Sequence, residues 1–124
     1  MTSVLLSIKP TFVERIFEEE KRFEFRRSIF VQSVSKAIVY CTSPVKLILG
    51  EFEIGEILEG TPEDIWEKCS LCAGISKMEY DEYFVGSSRA YAITIEKPNR
   101  YTEPIDPRKD MVSFVAPQSF RYFK

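Results

Sequence analysis

The sequence contains no histidine and only three cysteines. Without histidine the chain cannot form a Ser-His or Cys-His catalytic pair or an imidazole-ligated metal site, so any general base has to be a carboxylate or a lysine. An odd number of cysteines excludes a complete disulfide framework. Cys69 and Cys72 form a C-x-x-C pair, but one such pair cannot complete a tetrahedral zinc site. We predict two buried thiols here, no metal site and no cofactor.

Long apolar runs are also missing. No segment approaches the roughly 20 apolar residues that a membrane-spanning helix needs. The start, MTSVLLSIKP, has no basic residues ahead of its short apolar run and so does not resemble a signal peptide. We therefore predict a cytoplasmic protein without membrane contact. A length of 124 residues with 44% hydrophobic and 29% charged side chains is typical of one folded domain, which we place at residues 1–124.

The net charge of −2 argues against a protein that coats nucleic acid through charge alone. The charge is unevenly distributed, however. Residues 1–50 and 111–124 carry more basic than acidic side chains, whereas residues 51–110 are strongly acidic. If the two basic segments meet in space, they form a local patch that attracts anions.

Hydrophobic periodicity predicts an alternation of strands and helices. Pro10 and the capping-box spacing of Thr11 and Glu14 predict a helix that runs to about Glu20, and helix starts are also predicted at 61–62 and 76–79. The apolar phase flips within VKLILGEFEIGEIL at both glycines, which indicates β-bulges that bend a strand. The order of elements predicts an α+β domain, a small mixed β-barrel with about three helices packed around a cleft. The predicted strands are 3–8, 21–27, 35–43, 45–57, 89–101 and 119–123.

The stretch EEEKRFEFRRS, residues 18–28, places several charges beside two phenylalanines. In a strand, Phe23 and Phe25 point one way and Arg22, Glu24 and Arg26 the other. One interpretation is a solvated hairpin whose exposed salt bridges contribute about 0–1 kcal/mol each. The other is the floor of a cleft, where an arginine binds phosphate or a guanine edge and a carboxylate accepts a hydrogen bond from a base amine.

The same stretch carries a family signature. LLSIKP followed by a helix, and then EKRFEFRR with Lys21, Glu24 and Arg26 at K-x-x-E-x-R spacing, resembles the opening of the ASCH domain of the PUA-like superfamily. Glu20 stands in place of the glycine of the G-x-K-x-x-E-x-R signature. SPVKLILGEFEI, YFVGSSRAYAITI and PQSFRYF are similar to a microbial subgroup of predicted regulators with a PUA-like domain. The resemblance covers nearly the whole chain.

This resemblance implies a small mixed β-barrel that binds RNA or a nucleotide in its cleft, with DNA as an alternative, and a regulatory role. It favours the cleft interpretation, with Lys21 and Arg26 contacting phosphate or base acceptors and Glu24 a base amine. Some family members hydrolyse acetylcytidine nucleosides through a Lys-x-x-Thr pattern and a later glutamate. Here Lys21 and Glu24 match and the threonine is absent. The alternative function is therefore a hydrolase of modified nucleosides or RNA, with Lys21 and Glu24 as catalytic candidates. A protein–protein adaptor is a third interpretation.

Further candidates for ligand binding come from three places in the chain. A lysine precedes a helix start, where free backbone N–H groups favour an anion, although the position also fits a simple helix start. A serine can donate to a ligand. The tail interleaves aromatic and polar side chains, which fits both base stacking and a core-closing strand. These candidates are Lys9, Ser43, Gln118, Phe120, Arg121 and Tyr122.

Overall fold

The computed structural model describes residues 2–110 and 114–123, which form six strands and four helices. A single 3₁₀ turn, Ser70–Cys72, follows the second helix. In chain order the elements are β1 (Ser3–Ile8), α1 (Pro10–Phe17), β2 (Phe23–Arg26), β3 (Lys36–Cys41), β4 (Leu47–Gly60), α2 (Pro62–Cys69), α3 (Lys77–Tyr83), β5 (Ala90–Ile105), α4 (Pro107–Asp110) and β6 (Phe120–Phe123).

All six strands belong to one mixed sheet in the order β2-β5-β4-β3-β1-β6. The pairing of β1 with β3 is parallel, and the other neighbours are antiparallel. β6 lies on the outer side of β1 with Ser3 opposite Phe123, so the first and last strands are neighbours. The predicted α+β class and mixed sheet are confirmed.

The two long central strands bend the sheet. The register between β4 and β5 shifts between Ile48 and Gly50 and again between Ile54 and Ile57, which marks bulges in the two stretches where the apolar phase flips. Gly50 also permits a close approach, since a Cβ there would lie 2.5 Å from the ring of Phe17. The bending curls the sheet into a half-barrel, whose edge strands are β2 and β6.

Two apolar clusters hold helices against this sheet. One packs α1 onto the sheet and includes Leu6, Val13, Ile16, Val39 and Phe52. The other packs α2 and α3 against β2 and β5 and includes Phe25, Ile65, Tyr80, Phe84 and Ala92. Each fully buried Leu, Ile, Val or Phe contributes about 1.5–3 kcal/mol. β2 contributes Phe25 to the second cluster, and this packing holds the β2 side chains in position.

Two of the three helix starts predicted from the sequence agree with the structure. Thr61 accepts a hydrogen bond from the backbone N–H of Asp64 at the start of α2, and Ser76 and Glu79 form the complete capping box of α3. The capping box predicted for α1 is wrong. Pro10 occupies the first helical position, which places Thr11 inside the helix rather than at its cap, and α1 ends at Phe17 instead of near residue 20.

The cysteine prediction holds for Cys69, which is buried, but is wrong for Cys72, which is exposed in the 3₁₀ turn. Burial raises the pKa of Cys69 to about 11, so this thiol stays protonated at neutral pH. Across residues 2–110 and 114–123, no helix is both long enough and apolar enough to span a membrane. The same residues contain no group of three or more His, Cys, Asp or Glu placed to hold a metal ion.

Candidate functional site

A cavity of about 730 Å³ opens between β2, the start of α1, the end of α3 and the segment that precedes β6. Pockets that bind nucleotide-sized ligands commonly have volumes of about 300–1,000 Å³. Three charged side chains form its floor, aromatic side chains form part of its wall, and further charged side chains surround its mouth. Its lining therefore combines apolar surface with a small number of polar groups.

Lys21, Glu24 and Arg26 form the floor and are the three buried charged residues among those that the structure describes, with exposed fractions of 2%, 7% and 6%. The solvated-hairpin interpretation is wrong for these three side chains. Arg22 and Arg27, which flank them, are exposed. Charged groups are rarely buried unless they are paired or hydrogen-bonded, so the contacts of the three residues determine what the site can do.

Both terminal nitrogens of Arg26 are engaged by the protein itself. Its Nη1 donates to the carbonyl oxygen of Ser119 at 3.3 Å and to the hydroxyl oxygen of Ser119 at 3.4 Å. Its Nη2 donates to the carbonyl oxygen of Ser7 at 3.1 Å and lies 3.1 Å from Oε2 of Glu24. Nε is buried and has no partner among the described residues. Arg26 thus joins the β2 edge of the sheet to the segment before the β6 edge, and no terminal N–H is left to bind phosphate.

Glu24 has a different environment. Within the described part of the chain, the contact with Arg26 is the one ion pair or hydrogen bond that its carboxylate makes. Neither carboxylate oxygen is a fully buried atom without a partner, and the residue lines the cavity. Arg26 therefore fixes the position of this carboxylate while leaving acceptor capacity directed at the cavity.

Lys21 lies between two aromatic rings. Its Nζ is 4.7 Å from the ring centre of Phe25 and 5.3 Å from that of Phe12, and it donates a hydrogen bond to the carbonyl oxygen of Ala73 at 3.2 Å. Burial lowers the pKa of Lys21 to about 8, an effect that the negative charge of Glu24 partly opposes. The amine is therefore mostly charged at neutral pH, and it loses its proton far more easily than an exposed lysine does.

The segment after α2 holds Lys21 in place. The backbone N–H of Arg22 donates to the carbonyl oxygen of Cys72 at 2.9 Å, and Nη1 of Arg15 donates to the carbonyl oxygen of Gly74 at 2.8 Å. Gly74 has a φ of +65°, and a Cβ at this position would lie 2.6 Å from the Cα of Lys21. Glycine is required here both by the left-handed backbone and by the close approach.

The turn that leads into Lys21 also contains a left-handed residue. Glu19 has a φ of 63°. Counting back from Lys21, the glycine position of the G-x-K-x-x-E-x-R signature falls at Glu19 and not at Glu20 as predicted. The signature glycine thus corresponds to a position where the backbone favours glycine, and this chain has a glutamate there.

Two exposed cations, Arg27 and Lys9, lie at the mouth of the cavity. Arg27 stacks on the ring of Tyr83 with 4.7 Å between the guanidinium carbon and the ring centre. Lys9 is exposed just before α1. Within the described ranges, neither cation has a carboxylate partner at ion-pair distance. Glu79 and Glu82 of α3 also line the cavity, so the charge at the mouth is mixed.

The structure brings Lys9, Lys21, Glu24, Arg26 and Gln118 together around the cavity. The other four predicted residues do not line it. The ring of Phe120 lies 5.8 Å from that of Phe30, and the hydroxyl of Tyr122 accepts hydrogen bonds from the backbone N–H groups of 31 and 32, at 2.8 and 3.0 Å. Because β6 pairs with β1, these two rings pack against the core next to α1. Arg121 is exposed, and Ser43 lies in the turn after β3.

Several lining residues were not predicted from the sequence, and three of them belong to α3 or its end. The capping box at Ser76 predicted the start of this helix but not that its last turn lies over the mouth of the cavity, since that depends on tertiary packing. The sequence predicted a strand at 3–8 but did not indicate that Ser7 faces the cavity. The unpredicted lining residues include Ser7, Phe12, Glu79, Glu82 and Tyr83, whereas Ser119, which also lines the cavity, fits the expectation that it can donate to a ligand.

Comparison with known proteins gives one matching family and several similar proteins with different names. Residues 1–116 match the family described as Domain of unknown function (DUF365). Large ribosomal subunit protein uL22 of Ureaplasma parvum is 32% identical over 98% of the chain, and the chain spans only 39% of the length of that relative. An ASCH domain-containing ribonuclease of Zymomonas mobilis is 29% identical over 97% of this chain and 83% of its own length.

Comparison with solved structures also gives an ASCH protein. The crystal structure of ASCH from Zymomonas mobilis superposes with a TM-score of 0.90 at 27% identity, covering 98% of this chain and 87% of that one. The curled mixed sheet, the flanking helices and the K-x-x-E-x-R side chains on the cavity floor agree with the sequence resemblance. The chain belongs to the DUF365 family, and it is an ASCH domain with the PUA-like fold.

Proposed function

We propose that this ASCH domain binds single-stranded RNA by holding one nucleotide in the cavity. The observation that carries the proposal is a nucleotide-sized cavity whose floor presents a buried cation, Lys21, beside a buried carboxylate, Glu24. Burying such groups costs free energy, and a ligand with matching polar groups recovers part of that cost. The relative named a ribonuclease supports RNA as the ligand.

The mouth of the cavity suits the sugar–phosphate part of the ligand. Lys9 and Arg27 are exposed and have no carboxylate partner among the described residues, so they are free to contact phosphate. The ring of Tyr83, already stacked on Arg27, offers a face on which a neighbouring base can stack. Such stacking contributes about 1–3 kcal/mol per base. Arg26 does not bind phosphate, because its terminal N–H groups are used within the protein.

Binding is measured by fluorescence anisotropy with labelled single-stranded RNA heptamers across a range of salt concentrations. We expect Arg27→Ala and Lys9→Ala each to weaken binding several-fold, and each lost phosphate contact to reduce the salt dependence by about 0.7 in log–log slope. The matched controls are Arg89→Ala and Lys68→Ala, which remove exposed cations outside the cavity. A heptamer of DNA tests the preference for RNA. If wild type binds no RNA, or if both cavity variants bind like wild type, the proposal is wrong.

Hydrolysis of RNA or of a modified nucleoside is the second candidate, and the lowered pKa of Lys21 favours it. In the RNA version, neutral Lys21 accepts the proton of a ribose 2′-hydroxyl as that oxygen attacks the adjacent phosphorus. The P–O5′ bond breaks, the departing oxygen takes a proton from solvent, and the products are a 2′,3′-cyclic phosphate and a 5′-hydroxyl end.

The two candidates are separated by incubating the protein with end-labelled RNA and with a panel of acylated and methylated nucleosides. Turnover that disappears in Lys21→Gln while RNA binding persists supports the hydrolase. The rate should then rise with pH up to about 8, where wild-type Lys21 loses its proton. Binding without turnover of any of these substrates supports a binding module and argues against the hydrolase.

A further inference from the structure

Resting on the proposed RNA binding, we propose that the nucleotide in the cavity is a guanosine, whose Watson–Crick edge is read by Lys21 and Glu24. The inference concerns which base the floor of the cavity accepts, and it follows from the order of donors and acceptors there. Lys21 supplies a donor, and Glu24 supplies an acceptor pair.

The four RNA bases present different edges to such a floor. Guanine presents the O6 acceptor, then the N1–H donor, then the 2-amino donor. Adenine and cytosine each place an unprotonated ring nitrogen beside their amino group, and uracil has one N–H between two carbonyl oxygens. Of the four, guanine alone offers two adjacent donors to a carboxylate and an acceptor next to them for a cation.

Glu24 is prepared for this contact. Its carboxylate is held by Nη2 of Arg26 at 3.1 Å, and within the described ranges it makes no other hydrogen bond or ion pair. Its side chain is about nine-tenths buried, with a relative exposure of 9%. Water would therefore screen poorly the repulsion between this carboxylate and an acceptor of a wrong base. A base that presents two adjacent donors to the carboxylate avoids this repulsion.

Lys21 completes the match. It lines the same floor, and its charge interacts with that of Glu24. Within the described part of the chain its ammonium group makes one hydrogen bond, to the carbonyl oxygen of Ala73, so it has further N–H donors for O6 of guanine. Arg26 cannot replace it, since its terminal N–H groups are occupied by Ser7, Ser119 and Glu24.

The experiment compares uridine heptamers that carry one central G, A, C or inosine with the all-uridine heptamer, measured by fluorescence anisotropy. We expect the G heptamer to bind at least about tenfold more tightly than the A, C and U heptamers. Inosine lacks only the 2-amino group and should lose several-fold relative to G. This comparison uses the wild-type protein and does not depend on any variant folding.

Glu24→Gln replaces one carboxylate oxygen with an amide donor, so its preference for G over A should fall to within about threefold. Glu53→Gln, on an exposed glutamate outside the cavity, should keep the wild-type preference. Thermal unfolding of both variants shows that they are folded. If wild type binds all heptamers equally, the guanine assignment is wrong and the RNA proposal stands. If no heptamer binds, both are wrong.

Discussion

Arg26 on one edge of the sheet donates hydrogen bonds from Nη1 to both oxygens of Ser119, which lies just before the opposite edge. The two residues are 93 positions apart in the sequence. This contact closes one end of the half-barrel through a side chain instead of through strand pairing. It also places Gln118 and Ser119 beside the floor of the cavity.

Removing this contact should cost much of the stability of the domain. Arg26→Ala leaves Glu24 buried without its partner and removes the arginine donor from the Ser7 carbonyl and the Ser119 hydroxyl. The Ser119 carbonyl also loses the arginine but keeps the backbone N–H of Ser7 at 3.3 Å. Breaking a buried pair in this way costs about 3–5 kcal/mol. The matched control is Arg89→Ala, which breaks the half-exposed pair with Glu59 and should cost far less. Urea unfolding measures both, and equal losses would contradict a bridging role for Arg26.

Lys21→Met should stabilise the protein at neutral pH. Burial lowers the pKa of Lys21 from 10.5 to about 8, so between these values the unfolded chain holds a proton that the folded chain has released. The stability contributed by Lys21 therefore rises with pH across this window, and below it the charged amine costs on the order of 3 kcal/mol. Loss of the hydrogen bond to Ala73 offsets part of the gain.

The measurement is the difference in free energy of unfolding between wild type and Lys21→Met from pH 6.5 to 10.5. This difference cancels other groups that titrate in the window, such as Cys69. The advantage of the methionine variant should be largest below pH 8 and shrink towards pH 10.5. Lys68→Met, on an exposed lysine, should show no such trend. A difference that is constant with pH would show that the pKa of Lys21 is not lowered.

Gly74 and Gly86 provide a matched pair for testing how Lys21 is positioned. Both have positive φ, +65° and +79°, but a Cβ at Gly86 meets no atom within 4 Å, whereas one at Gly74 overlaps Lys21. Gly86→Ala should cost about 1–2 kcal/mol from the left-handed backbone alone. Gly74→Ala should cost about 1–3 kcal/mol more from the clash and also weaken RNA binding. Equal losses in thermal unfolding would show that Lys21 moves aside freely.

Glu19→Gly should raise the stability of the protein by about 0.5–1 kcal/mol. The change removes the cost of a side chain at φ 63°, which exceeds the entropy that a glycine adds to the unfolded chain. The neighbouring Glu18, with φ of −85°, is the control, and Glu18→Gly should lower stability by a similar amount. Opposite shifts in melting temperature are expected, and a loss in both variants would contradict the left-handed turn.

Much of the fold could be predicted from local patterns. The alternation around Phe25, the two glycines in β4 and the capping residues Thr61 and Ser76 each report on a few neighbouring residues, and each matches the structure. The sequence was less informative where the exposure of a residue depends on contacts with residues far away in the chain. The exposure of Cys72 depends on which side of the 3₁₀ turn meets the sheet, and spacing alone does not specify it.

The candidate site shows the same division. The family resemblance placed Lys21, Glu24 and Arg26 at the floor of a cleft, and all three line the cavity. It also assigned Arg26 to a ligand, whereas its terminal N–H groups are used by Ser7, Ser119 and Glu24. The contacts of an arginine with backbone oxygens far along the chain leave no trace in local pattern. Tyr83 illustrates the reverse case, a lining residue that only the packing of α3 could reveal.

The pairing of Ser3 with Phe123 has a practical consequence for engineering. Since the entry and exit points of the described domain emerge side by side, a short linker can join them, and new termini can be opened in an exposed turn such as the one at Gly86. For the same reason the domain can be inserted into a loop of a host protein without forcing the two flanks of that loop apart. The cavity, at the far end of β1, would keep its mouth clear of either junction.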